Sequence, residues 1–189
     1  MRAMDQYTLT CLRLESDEIF RVAFPHLFGA ELTVSIGGNR LDIELEIENL
    51  DRHGFSFTCA LHTYLRVAEI ENCSLEGLQE TTFRDQLQSG AEFVQSEPSL
   101  AVEGEIDRIY FDVPDTLVLR EPHRALAIQT EGFSDAVVWN PWQEKCSALD
   151  DMEADAFRRM LCVEAAQIHR PPMLEPGESW QGRQSLIAA

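Results

Sequence analysis

The chain has 189 residues, 44% of them hydrophobic and 25% charged, enough length for a sizeable core and an ordinary balance for a soluble globular protein. Thirty-three acidic residues against 15 basic ones give a formal net charge of -18. That balance argues against nucleic acid as a partner, because its phosphates would be repelled over most of the surface.

The hydrophobic pattern has a period of two almost everywhere, as strands do. Tyr7-Thr8-Leu9-Thr10-Cys11-Leu12-Arg13-Leu14 alternates, and so does Glu31-Leu32-Thr33-Val34-Ser35-Ile36. Gly37-Gly38-Asn39-Arg40 supplies hairpin-turn chemistry. Residues 41–49 follow with an apolar residue at every odd position from Leu41 to Ile47 and carboxylates between them. This predicts a strand with one face in the core and one in water. Further strands are expected at 54–65, 100–103, 106–111, 116–119, 124–130, 135–139, 159–165 and 180–187, with turns at Glu97-Pro98, Val113-Pro114-Asp115, Arg120-Glu121-Pro122 and Glu175-Pro176-Gly177-Glu178. The one convincing helical stretch is short, Asp151 to Phe157. Many short strands with little helix predict an all-β antiparallel β-sandwich. Without repeat, low-complexity run or linker, residues 1–189 read as one domain.

No apolar run approaches the roughly 18 residues that span a bilayer. Met1-Arg2-Ala3-Met4-Asp5-Gln6 has no apolar stretch after its arginine to mark a secretory signal. The expected location is the cytoplasm, with no membrane partner, as a monomer or weak dimer. The five cysteines, Cys11, Cys59, Cys73, Cys146 and Cys162, form no CxxC pair. They read as buried free thiols rather than a disulfide framework or zinc site. No GxSxG, P-loop, dinucleotide-binding, HExxH or EF-hand motif occurs, and no cofactor or metal is expected.

His62 stands out among the histidines. In Phe55 to Leu65, alternation puts Phe55, Phe57, Cys59 and Leu61 on one face and Thr58, Ala60, His62 and Tyr64 on the other. An imidazole among small and polar neighbours suits a pocket on a sheet, although a core histidine bonded to backbone would read the same way. His26, His53, His123 and His169 lie beside Pro, Gly or turn signals and read as surface or loop residues. Glu164 closes the apolar run Met160-Leu161-Cys162-Val163. There it is either a desolvated general base with a raised pKa or a strand-end glutamate paired with Arg158 or Arg159. Asp107 shares a strand face with Ile109 and Phe111 and needs a polar partner there. Val137-Val138-Trp139-Asn140-Pro141-Trp142 makes an aromatic corner. Its Trp139 and Asn140 could stack on and hydrogen-bond a sugar, or simply close the core.

In this order the stretches resemble one family, the hexose-6-phosphate mutarotases (glucose-6-phosphate 1-epimerases) of the galactose-mutarotase-like superfamily. The resemblance runs through Phe24-Pro25-His26-Leu27-Phe28, Phe57-Thr58-Cys59-Ala60-Leu61-His62-Thr63-Tyr64-Leu65, Val67-Ala68-Glu69-Ile70 and Leu75-Glu76-Gly77-Leu78. It continues through Asp107-Arg108-Ile109-Tyr110, Val137 to Trp142, Met160-Leu161-Cys162-Val163-Glu164 and Pro176-Gly177-Glu178-Ser179-Trp180. It implies a supersandwich fold and catalytic roles for His62 and Glu164, with sugar-hydroxyl binding by Asp107. The implied partner is a small-molecule sugar phosphate whose α and β anomers are interconverted by acid–base ring opening. Family members carry an earlier stretch, with a His-Gly-Phe-Ala-Arg-like motif and basic residues for the phosphate, that residues 1–20 do not match. The sequence thus reads as lacking that N-terminal part, with sheet edges and apolar faces expected to be uncovered. A sugar-binding sandwich without turnover, or a plain interaction domain, is the alternative.

Overall fold

The computed structural model describes residues 7–17 and 19–189. The proposed absence of a secretory signal concerns Met1 to Gln6, which lie outside the described residues.

Strands appear in chain order as β1 (Thr8–Glu15), β2 (Phe28–Gly37), β3 (Arg40–Asn49), β4 (Phe55–Ser56), β5 (Cys59–Leu61), β6 (Tyr64–Arg66), β7 (Ser74–Glu76), β8 (Thr82–Asp85) and β9 (Ala91–Val94). They continue as β10 (Ser99–Ala101), β11 (Ile106–Tyr110), β12 (Thr116–Glu121), β13 (Arg124–Glu131), β14 (Asp135–Asn140), β15 (Met160–Gln167), β16 (Met173–Leu174) and β17 (Ser179–Ala188). Two short helices, α1 (Phe20–Ala23) and α2 (Trp142–Ser147), interrupt them. The first sheet has eight strands in the order β1-β2-β3-β17-β13-β12-β7-β10. The second has the order β5-β15-β14-β11-β8-β9, with β6 also on β15, and β16 pairs with β4. Every pairing is antiparallel.

The two sheets stack as a sandwich. Leu75, Leu117 and Ile128 from the first meet Tyr110, Val138 and Val163 from the second in one buried cluster. Side chains of the two sheets meet because alternate residues of each strand point inward. The Gln184 amide of β17 reaches across this layer to the Val163 carbonyl of β15, so β17 lies over β15. Ile47 of β3 and Cys59 of β5 line one cavity, so β3 lies over β5. Beyond β3 the first sheet continues with β2 and β1, whereas the second stops at β5 and β6.

Three expectations are corrected. The 54–65 strand is broken into β4, β5 and β6, because Thr63 N–H donates to the Leu61 carbonyl at 2.8 Å and turns the chain tightly at His62. Residues 151–155 are turns and a bend leading into a 3-10 turn at Ala156–Arg159; a segment this short becomes helical only where its packing supports it. The nearest helix is instead α2, which follows Pro141. Strands β7, β8 and β9 went unread because three or four residues between Gly77, Gly90 and Pro98 are too short to display a period. The thiols are all free, but Cys11 is exposed and Cys59 half-buried; β1, the outermost strand, is exposed at all eight residues.

Candidate active site

The outer face of the second sheet carries a pocket of about 390 Å³ lined by Ala60, His62, Tyr64, Asp107, Ile109, Val137, Trp139, Glu164 and Ile168. Strand register builds it. Glu164 lies directly opposite Val137, and Val137 opposite Ile109. One register step away, Tyr64 faces Cys162, Cys162 faces Trp139, and Trp139 faces Asp107. Directly paired residues of an antiparallel sheet share a face, so these side chains form two parallel rows. His62 sits in the gap between β5 and β6, whose partners on β15 start at Ala165 and end at Cys162. Glu164 occupies the matching gap on β15. Residues a hundred positions apart are thereby made neighbours.

The His62 Nδ1 is 3.3 Å from Glu164 Oε1. The imidazole is 75% exposed, whereas the carboxylate is only 6% exposed. Burial pushes Glu164 above the usual carboxylate range; a positive His62 draws it back and the Asp107 charge pushes it further up. Asp107 is also raised, by burial first, with Lys145 opposing and Glu105 and Asp85 adding to it. The pairing of Glu164 with Arg158 or Arg159 does not occur: Arg158 pairs with Glu69 and Arg159 with Asp155. Burial and the Glu164 charge push Cys162 up to about 12, which keeps it a thiol and a poor nucleophile at neutral pH. Tyr64 and Trp139 meet edge to face at 6.0 Å and form an aromatic wall.

Asn140 is corrected. It is fully buried and does not line the pocket. Its Nδ2 donates to the carbonyls of Phe157 and Met160, both at 2.8 Å, and its Oδ1 accepts from Trp142 N–H at 2.9 Å. All its bonding capacity facing the backbone is used to hold the strand end, α2 and the turn before β15 together. Trp142 packs on Phe157 in that same corner. Replacing Asn140 with Ala should cost about 2–4 kcal/mol by leaving buried backbone groups unpaired. Denaturant unfolding checks this, and ligand affinity of the folded variant should be unchanged. Thr58 is the second correction: it lines an apolar cavity with Phe24, Phe28, Ile47, Phe55 and Phe57, away from His62.

Sequence reasoning missed Gln184. It is completely buried. Its Nε2 donates to the Val163 carbonyl at 2.9 Å, and its Oε1 accepts the Thr63 hydroxyl. Val163 precedes Glu164 and Thr63 follows His62, so one side chain ties the residues beside both groups. The available signal was a polar residue in phase with Trp180 and Leu186 on a strand whose other in-phase residues are apolar or Gly.

The aldose 1-epimerase family model matches residues 2–186. The chain is 35% identical over 170 residues to a "Putative glucose-6-phosphate 1-epimerase" of Cenchrus ciliaris, covering 87% of this chain and 52% of that relative. A protein of the same name from Haemophilus influenzae is 32% identical over 126 residues, 66% of this chain and 44% of its own. The crystal structure of a "putative mutarotase (YeaD)" from Salmonella typhimurium superposes with a TM-score of 0.87 at 24% identity, over 99% of this chain and 64% of that one. The chain spans about half the length of the curated relatives it matches. Two stacked antiparallel sheets of the galactose-mutarotase-like kind, matched by the family model over nearly every residue, make this chain a member of the aldose 1-epimerase family.

Proposed function

We propose that the chain carries the acid–base centre of an aldose 1-epimerase that interconverts the α and β anomers of a hexose 6-phosphate. The observation that carries this reading is the His62–Glu164 pair, 3.3 Å apart in the lining of a pocket of about 390 Å³, a size that holds a sugar. The names of the relatives in Cenchrus ciliaris and Haemophilus influenzae supply the substrate.

The reaction asks for two proton transfers at one carbon. Glu164, ionised, takes the proton of the C1 hydroxyl, while His62, as imidazolium, gives one to the ring oxygen. The bond between C1 and the ring oxygen breaks, leaving an open aldehyde. Rotation about C1–C2 turns the carbonyl over. On reclosure the neutral imidazole takes the C5 hydroxyl proton, that oxygen attacks C1, and the protonated carboxyl returns a proton to the former aldehyde oxygen. Both groups end as they began. The ring oxygen and the C1 hydroxyl are bonded to the same carbon, so adjacent acid and base suit them: the sugar presents its anomeric edge to both. In this reading Asp107 accepts sugar hydroxyls and Trp139 packs on the C–H face of the ring.

The lining residues include two carboxyls and one imidazole but no Arg or Lys. That favours one second reading, a carbohydrate-binding sandwich without turnover. Exchange NMR on glucose 6-phosphate anomers separates the two. The first reading expects exchange faster than in buffer, saturable in sugar phosphate. Saturable binding with exchange no faster than buffer gives the second.

A further inference from the structure

The corner after β14 is strained, and it carries a cation to the edge of the pocket. β14 ends at Asn140, directly opposite Ile106, and Trp139 stands opposite Asp107. Two residues on, Trp142 has a φ of 54°, a left-handed backbone that a bulky side chain rarely adopts. Such a conformation persists where its surroundings over-determine it, and it collects at functional sites. Here the Asn140 side-chain oxygen accepts the Trp142 N–H at 2.9 Å. The Trp142 ring packs on Phe157 at 5.1 Å, and Cys146 of α2 is completely buried. The short helix is thus fixed near both of its ends. Lys145 projects from it and reaches Glu105 Oε1 at 3.0 Å.

Glu105 lies two residues from Asp107. Ile106 between them is buried in the core, so strand alternation turns both carboxylates to the outer face, about 7 Å apart along the chain. Asp107 lines the pocket. Burial acts first against its ionised form, and charges of its own sign add to that: Glu105 beside it, Asp85 of β8 and Glu164 in the same pocket. Asp85 is already paired with Arg108, and His62 faces Glu164. Lys145, the one lysine of the chain, is the neighbour whose charge opposes the burial of Asp107.

We infer that Lys145 is a positioning residue for the sugar: the strained corner holds its ammonium at the Glu105–Asp107 end of the pocket, where its charge secures Asp107 as an acceptor of sugar hydroxyls. This rests on the reading of Asp107 as the residue that binds those hydroxyls. An ionised carboxylate accepts at both oxygens, through bonds about twice as strong as neutral ones. The placement also decides what Lys145 does not do. A phosphate at its ammonium would meet Glu105 and Asp107 as well, so the cation serves the acceptor and not the anion.

Substituting the two partners of the ion pair separates this role from that of a strut between α2 and β11. Carbon-13 NMR of the Asp107 carboxyl, assigned with Asp107→Asn, reads its titration directly and needs no turnover. Lys145→Met should move the Asp107 midpoint to higher pH, because the opposing charge is gone. Glu105→Gln should move it to lower pH, because a charge of the same sign is gone. Lys145→Arg should restore the wild-type midpoint. At a pH where wild-type Asp107 is half ionised, glucose and glucose 6-phosphate should both bind Lys145→Met about 2- to 5-fold more weakly, the size of effect that one partly exposed charge pair carries. High salt should shrink that difference. Midpoints that move the same way in Lys145→Met and Glu105→Gln overturn the inference, because the pair would then be a strut alone. A loss of affinity confined to glucose 6-phosphate overturns it too, because the ammonium would then contact the phosphate. A wild type that binds both sugars but exchanges no anomers defeats the acid–base reading, while the carboxyl titration and the two affinities still decide the role of Lys145. A wild type that binds neither sugar overturns both.

Discussion

His62→Ala and Glu164→Gln should each slow anomer exchange of glucose 6-phosphate by about 10²–10⁴-fold, the range a positioned acid or base contributes. The double variant should be little worse than either single one, because the two groups act as a unit on one carbon and removing either stops the transfer. The pH dependence follows from the direction of the Glu164 shift. Glu164 must be ionised to act as base, and burial raises its pKa. The acid limb of kcat/KM should therefore lie above the range of an ordinary solvated carboxylate. Asp107→Asn removes a charge that pushes Glu164 up, so it should move the acid limb to lower pH while raising KM. A Glu164 variant as active as wild type would remove the base from the scheme.

Stability should move the other way from activity at Glu164. Its folded pKa lies above its unfolded one, so its contribution to folding is fully present below the unfolded pKa and is lost as pH rises through the folded one. At neutral pH the buried carboxylate is a cost that a neutral amide avoids. Glu164→Gln should thus have a Tm equal to or above that of wild type at neutral pH, with the difference vanishing in acid. A scan of Tm against pH distinguishes this from a variant that lost activity by unfolding.

What could be read in advance depended on length. Ten-residue strands such as β3, with Leu41, Ile43, Leu45 and Ile47 in phase, carry their own evidence of a strand, although those four side chains are only partly buried. They sufficed for the sandwich class. Strands of two to four residues, such as β7 or β16, carry none, because their place comes from partners distant in sequence. The pocket shows the same divide. Alternation alone put Ala60, His62 and Tyr64 together, and all three line it. That Glu164 stands opposite His62 is a fact of register between β15 and its two edge strands, which no local pattern encodes; only the family resemblance brought the two together beforehand. Asn140 was misread because an amide beside aromatic rings looks alike in sequence whether it faces a ligand or backbone carbonyls.

Gln184→Leu should lower kcat by one to two orders of magnitude, about 1.4–2.8 kcal/mol in barrier, with a smaller change in KM, although Gln184 touches no substrate. The amide is a polar tie beneath the pair: it holds the Thr63 hydroxyl on one side and the Val163 carbonyl on the other. Leucine fills similar space but takes the Gln184 donor from the Val163 carbonyl and leaves the Thr63 hydroxyl only the Leu61 carbonyl, at 3.3 Å, at about 1–3 kcal/mol for the lost tie. The His62 turn is otherwise secured by Thr63 N–H and, at 3.3 Å, the Thr63 hydroxyl donating to the Leu61 carbonyl, and by Thr63 O accepting from Val163 N–H at 3.3 Å. Released from Gln184, it has little else to fix the imidazole against Glu164, and acid–base catalysis is sensitive to such displacement. Gln184→Glu is the sharper control. Its oxygen can still accept from Thr63, but it cannot donate to the Val163 carbonyl when ionised, so activity relative to wild type at the same pH should rise as pH falls far enough to protonate it. Thr63→Val removes only one arm of the tie and should lose less than Gln184→Leu. A purely structural role would lower Tm in all three variants and leave kcat of the folded fraction and its pH profile unmoved. A positioning role shifts kcat in the order Thr63→Val, then Gln184→Leu, and gives Gln184→Glu a pH dependence that wild type lacks.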